Sequence, residues 1–274
     1  MTLSNRKILR TLLCLLAGTL YAVCLSACGA KEPLSENRDA EIESPVIAND
    51  LSNQKVTAIA EDTQGHIWIG TFRGLNKNNV HDYHQYFCTD DSLGLPDNQI
   101  THLLRDSKNR FWVGTVNGVC LYTDKDNFRI IPIEADNKNV RQILEDRNGR
   151  IFLNTGFQLY AYHPREEKIT CVLPEISPGN AFYAQCHIAP DNNLWVMTST
   201  GLRCYDPSTL QLKESVALSG YPYYSYLHNN ELWITGNHTL SIFDTRTRSF
   251  KPLPQPIARN TTLCNADIDY IHPY

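Results

Sequence analysis

The sequence has no excess of positive charge: across 274 residues, 25 Lys and Arg stand against 29 Asp and Glu, a formal charge of −4. A protein that grips nucleic acid through its phosphates needs a concentrated basic surface, so that class of partner is excluded. Only 2 Met occur, and no segment beyond the first 28 residues carries the 3.6-residue apolar period of an amphipathic helix. Catalytic signatures are missing as well: there is no GxSxG, no HExxH, no phosphate-binding glycine loop and no dinucleotide fingerprint. Nor is there a CxxC pair or a Cys/His zinc spacing. No catalytic residue, metal ligand or cofactor is therefore assigned, and the reading is non-enzymatic.

What is present favours short strands joined by turns: 14 Tyr and 4 Trp, with 14 Gly and 14 Pro spread along the chain. The first 28 residues read as a leader. Arg6, Lys7 and Arg10 precede an apolar run over residues 12–25 that is too short to cross a bilayer comfortably, and the run ends in Leu25-Ser26-Ala27-Cys28, a lipobox-like sequence with Cys28 as the lipid attachment site. The expectation is an exported protein of the periplasm or outer envelope of a Gram-negative bacterium, held at a membrane only through that N-terminal lipid or anchor. Residues 29–45 are polar and acidic and read as a flexible tether. Six cysteines remain beyond the leader (Cys88, Cys120, Cys171, Cys186, Cys204 and Cys264), an even number that permits disulfides, although their wide spacing favours small buried apolar residues. His81 and His84 lie three apart with no third ligand nearby and read as a surface turn.

A repeat of about forty residues organises the rest. Residues 56–75 (VTAIAEDTQGHIWIGTFRGL) and 100–119 (ITHLLRDSKNRFWVGTVNGV) match position by position. Further copies begin near residues 140, 184 and 225. One aromatic recurs per copy, at Trp68, Trp112, Phe152, Trp195 and Trp233. This pattern predicts an all-β fold, a β-propeller of four-stranded blades near 56–88, 100–131, 140–172, 184–216 and 225–250, with a partial sixth at 261–274 and the ring left open. A single blade cannot bury both of its faces, so the recurring aromatics are expected between blades as core. Asp62, Asp106, Asp146 and Asp191 are placed at one common repeat position, as turn formers.

These residues also carry a family resemblance. The motif V-T-x-I-x-x-D-x-x-G-x-[IL]-W-[IV]-G-T-x-x-G-[LV], together with the lead-in residues 94–100 (GLPDNQI), resembles the two-component regulator propeller repeat. The resemblance implies the periplasmic sensor region of a hybrid two-component histidine kinase, in which such repeats are followed by further propeller, sandwich, membrane and kinase modules. It therefore implies ligand sensing rather than catalysis, with a carbohydrate or other small molecule as partner, and any homodimer would form through sensor parts outside these repeats. No kinase lies within the sequence, so the expectation is the N-terminal part of a longer, truncated sensor. The alternative is an exported lipoprotein scaffold that binds another envelope protein through the propeller.

Ligands of propellers usually approach the face made by the turns between second and third strands and by the loops that enter each blade. On that face the sequence places Arg73, Asn117 and Thr200 from the turns, and Asp97, Phe182, Tyr183, Tyr221, Tyr223 and Tyr224 from the loops. The tyrosine-rich run 220–226 offers flat rings with hydroxyl tips, suited to stacking on sugars, or else simply the inward half of a strand.

Overall fold

The structure is a computed structural model that describes residues 45–79, 81–89, 94–123, 125–176 and 184–260. The leader with Cys28, the tether to residue 44, and the 261–274 segment with Cys264 lie outside the described residues, as do Phe182 and Tyr183.

Five antiparallel sheets follow one another along the chain. Blade 1 contains β1 (Val46–Ala48), β2 (Val56–Glu61), β3 (Ile67–Thr71), β4 (Gly74–Asn79) and β5 (Asp82–Tyr86). Blade 2 contains β6 (Ile100–Arg105), β7 (Phe111–Thr115), β8 (Gly118–Tyr122) and β9 (Phe128–Ile131). Blade 3 contains β10 (Gln142–Glu145), β11 (Ile151–Asn154), β12 (Leu159–His163) and β13 (Lys168–Leu173). Blade 4 runs through β14 (Gln185–Ile188), β15 (Leu194–Thr198), β16 (Gly201–Tyr205) and β17 (Leu212–Ala217), and blade 5 through β18 (Pro222–His228), β19 (Glu231–Gly236), β20 (Thr239–Asp244) and β21 (Ser249–Lys251). Each is an up-and-down meander, and β1 adds a fifth strand by pairing with β5. The first strands β2, β6, β10, β14 and β18 neighbour one another from blade to blade, which makes them the inner strands of a propeller.

Burial between blades explains the recurring aromatic. Four apolar clusters fill the four junctions between successive blades. In the first, Trp68 of blade 1 lies against Phe111 and Tyr122 of blade 2, with ring centroids 5.0 and 4.7 Å apart. Trp112 meets Tyr162 of blade 3, and Trp195 meets Phe243 of blade 5, in the same way. Phe152 sits buried between blades 3 and 4. Trp233 is only half-buried, since no blade follows it among the described residues. The glycine two positions after the tryptophan permits the close approach: a Cβ on Gly70 would come within 2.5 Å of Ile100 on the next inner strand. In blade 3 the same position is Asn154, whose Nδ2 donates to the Ala184 carbonyl of blade 4 at 2.8 Å.

The acidic turn between first and second strands does more than turn the chain. Asp62 accepts the Trp68 indole N–H at 2.8 Å on Oδ2, while Oδ1 accepts the amides of Gln64 and His66. Asp106 repeats this with Trp112 and adds Arg110. In blade 3, where Phe152 has no N–H to give, Arg150 supplies the donor to Asp146 instead. Burial works to raise the Asp62 carboxyl, but these hydrogen bonds win and hold it below the usual carboxylate range. A left-handed residue closes each turn: Gly65, Asn109, Gly149 and Asn192.

Blade 4 corrects the expectation for Asp191. The equivalent of Asp62 there is Ala189, which keeps the backbone pattern of the turn (its N–H donates to the Asn193 carbonyl, its carbonyl accepts from Asn192) but offers no carboxylate. Asp191 lies two residues further on and binds Asn193. The Trp195 indole nitrogen is consequently buried without a hydrogen-bond partner. Cysteines Cys120, Cys186 and Cys204 are buried and Cys88 and Cys171 exposed.

Among the described residues nothing covers the leading face of blade 1. Ile59 is 65% exposed, whereas its counterpart Leu103, covered by blade 1, is 6% exposed. Leu103→Asn should therefore cost about 3 kcal/mol and Ile59→Asn less than about 1 kcal/mol in urea unfolding. By the same measurement, Asp106→Ala should lose about 3 kcal/mol, because it strands Trp112 and Arg110, and Ala189→Asp should gain about 1 kcal/mol by giving Trp195 an acceptor.

Candidate functional site

The inner strands converge on a cavity of about 680 Å³, within the range of small-ligand sites. Its wall is built at the end of the blades where the chain enters each inner strand and where second and third strands turn. Blade 1 supplies Lys55, Thr57 and Phe72, blade 2 supplies Gln99, Ile100, Thr101, His102 and Val116, and blade 3 supplies Asn139, Arg141 and Gln142. Blade 4 adds Ala184 and Gln185, and blade 5 adds Tyr224.

Local structure sets these positions. Thr71, Thr115 and Thr198 each donate their hydroxyl to the carbonyl three residues on, at 2.8, 2.9 and 3.0 Å, closing the turn between second and third strands. The residue immediately after the threonine pairs with the entering chain: the Phe72 N–H donates to the Lys55 carbonyl at 2.9 Å and the Val116 N–H to that of Gln99 at 3.2 Å. Lys55 and Phe72 are thereby neighbours, and the ammonium lies 4.4 Å above the ring.

Several wall residues also tie one blade to the next. Gln142 Oε1 accepts the Cys186 amide at 2.9 Å and Asn154 Nδ2 at 2.8 Å. Gln185 Oε1 accepts the amide and hydroxyl of Ser225 at 2.5 and 2.9 Å. Thr101 donates to the Val140 carbonyl. Two wall atoms have no such use: His102 Nδ1 and Asn139 Oδ1 are buried and lack any hydrogen-bond partner. Burial pushes the His102 imidazole down to about 4, so the ring is neutral at pH 7 and offers one donor and one acceptor nitrogen. Among the described residues no group of acidic, histidine and cysteine side chains could hold a metal ion.

Of the ligand residues expected from sequence, Tyr224 lines the cavity. Arg73 and Asn117 sit one residue beyond the wall residues Phe72 and Val116, and Thr200 lies in a turn that adds nothing to the wall; all three are exposed, with their amides bound to Thr71, Thr115 and Thr198. Asp97 spends its carboxylate on the Gln99 amide at 2.8 Å. Tyr221 is 69% exposed, and Tyr223 falls at the register shift between Pro222 and Tyr224. Phe182 and Tyr183 lie outside the described residues. Lys55, Phe72, His102, Asn139, Arg141, Gln142 and Gln185 were not anticipated, and the recurring pairing of the residue after Thr71 and Thr115 with the entering chain is the signal that could have found the first two.

Two segments, residues 50–73 and 94–117, match the model of the two component regulator propeller family. No curated protein matches the chain. Among solved structures, the extracellular domain of a protein assigned as a hybrid two component system from B. thetaiotaomicron aligns at 15% identity and TM-score 0.46, over 76% of this chain and 37% of that one. A second such domain from B. thetaiotaomicron aligns at 19% identity and TM-score 0.44, over 83% of this chain and 39% of that one. The chain thus spans little more than a third of the length of these extracellular domains. Virginiamycin B lyase from Staphylococcus aureus aligns at 18% identity and TM-score 0.58, over 78% of this chain and 75% of the lyase, a likeness of fold.

The neutral state of the buried histidines has a measurable consequence. His102 and His187 are both held near 4, against 6.5 for a free imidazole, by burial. The unfolded chain therefore binds more protons between those values, so the contribution of these two imidazoles to stability is constant above about pH 6.5, falls as pH drops towards 4 and levels off below. The double variant His102→Gln, His187→Gln should flatten urea midpoints across that window. The chain is a β-propeller protein whose first two blades contain the segments that match the two component regulator propeller model.

Proposed function

We propose that this chain is an exported, non-catalytic sensing propeller that binds a saccharide or similar small polar ligand in the cavity between its inner strands. The observation that carries the reading is the pair of buried, unpartnered polar atoms in the cavity wall, His102 Nδ1 and Asn139 Oδ1. Leaving such atoms unpaired costs about 1 to 3 kcal/mol each, a cost that a ligand hydroxyl at the same place removes. Phe72 and Tyr224 add aromatic surface for a sugar ring, and the amides of Gln99 and Asn139 suit hydroxyl recognition. The repeat match at residues 50–73 and 94–117 supports a place in signal transduction, and the leader with its Cys28 ending supports export and a lipid anchor.

Catalysis finds no support in the wall. Among the described residues it contains one histidine, neutral, and no carboxylate to serve as its partner in proton transfer. The fold shared with a lyase does not bear on this, because chemistry resides in the site and not in the scaffold.

Calorimetric titration of the full chain with a panel of neutral and acidic oligosaccharides should yield at least one binder without turnover, weakened at least tenfold by Tyr224→Ala. Binding of none of them, binding indifferent to Tyr224→Ala, or product formation would each overturn the reading.

A further inference from the structure

We infer that the ligand of this cavity is an acidic saccharide, one bearing carboxylate or sulfate groups, whose charge is received by Lys55 and Arg141; this rests on the binding role proposed above for the same cavity. The charge pattern of the wall is the reason. In a chain with more carboxylates than cations, the described residues that line the cavity include Lys55 and Arg141 and no Asp or Glu. Neither cation has an ion-pair partner among the described residues. Four other arginines do have carboxylate partners, Arg110 with Asp106, Arg129 with Glu167, Arg150 with Asp146 and Arg248 with Glu214, whereas Arg105 and Arg203 are, like Arg141, without an ion pair among the described residues.

Both cations are exposed, and each side chain runs along a neighbour at the cavity rim. Lys55 is stacked on Phe72. The Arg141 amide donates to the Asn154 carbonyl at 2.8 Å, and its side chain runs along Gly156, a left-handed residue at φ +93° where a Cβ would come within 3.0 Å of Cδ and Nε. Arg141 keeps its whole guanidinium fork available, which suits the planar, two-oxygen edge of a carboxylate or sulfate. The cations come from blades 1 and 3, and the unpartnered His102 Nδ1 and Asn139 Oδ1 come from blades 2 and 3. A single site thus combines positive charge for an anionic substituent, unpaired polar atoms for hydroxyls, and the aromatic faces of Phe72 and Tyr224 for the ring. An acidic sugar is the ligand class that uses all three.

The test is calorimetric titration of the full chain with tetragalacturonate and its methyl-esterified form, and with a sulfated heparin-type disaccharide and its desulfated form. One charged member should bind at least tenfold tighter than its uncharged counterpart, and which pair responds separates carboxylate from sulfate. Its affinity should fall with added salt, and Arg141→Gln and Lys55→Gln should each weaken it at least tenfold with melting temperature unchanged, while Arg141→Lys retains part of the binding. Equal affinity for charged and uncharged members, still sensitive to Tyr224→Ala, would overturn the acidic-ligand inference and leave the binding cavity standing. Binding of charged members unaffected by Arg141→Gln, Lys55→Gln and Tyr224→Ala would place them elsewhere and overturn both. Failure of the charged members together with the whole neutral panel would also overturn both.

Discussion

A four-stranded sheet with apolar side chains on both faces is stabilised in water by whatever lies against each face, and the architecture of this protein follows from that dependence. Large rings satisfy it most economically, because one indole fills the widening space between two twisted sheets. Trp68, Trp112 and Trp195 do so, with Phe152 in the remaining junction. An indole buried this deeply brings a polar N–H with it, and Asp62 and Asp106 accept that hydrogen from the turn that precedes the strand. The small residue at Gly70 lets the next inner strand come close enough for the arrangement to repeat. Packing, turn chemistry and blade spacing are thus parts of one local solution, repeated along the chain with small changes.

Those changes show how closely each part depends on the others. Where Phe152 replaces tryptophan, the acceptor Asp146 is kept but is satisfied by Arg150. Where the acceptor is lost at Ala189, the tryptophan is kept and its N–H goes unpaired. In blade 5 the turn shrinks to Asn229 and Asn230, and no residue equivalent to Asp62 remains.

The repeat made the fold legible in the sequence. Trp68 and Trp112 lie in segments that match residue for residue, so their common environment could be inferred without coordinates. The acidic position was harder to read. Asp191 falls in a turn rich in Asp and Asn, and only the spacing to Trp195 shows that Ala189 holds the equivalent place. The cavity was less legible still. Its wall comes from the junctions where the chain enters each inner strand, and there the repeats diverge in length and composition: Lys55, Asn139 and Arg141 have no common letter to align. Register shifts at the start of β2, β6 and β18 further change which residues face inward, so alternation counted back from the tryptophan misplaces residues such as Tyr223. The turns between second and third strands reach the cavity through Phe72 and Val116 rather than through Arg73 and Asn117.

Gln142 and Gln185 deserve to be considered as mechanical parts. Each lines the cavity, and each also fastens its own blade to the backbone of the next, at Cys186 and Ser225. The side chains that line the cavity and those that tie neighbouring blades together are here the same. Any contact that draws such an amide towards the cavity centre must lengthen or break its hold on the adjoining sheet. The joints of this propeller are therefore exposed to whatever occupies its axis, and occupancy and blade geometry share one set of hydrogen bonds.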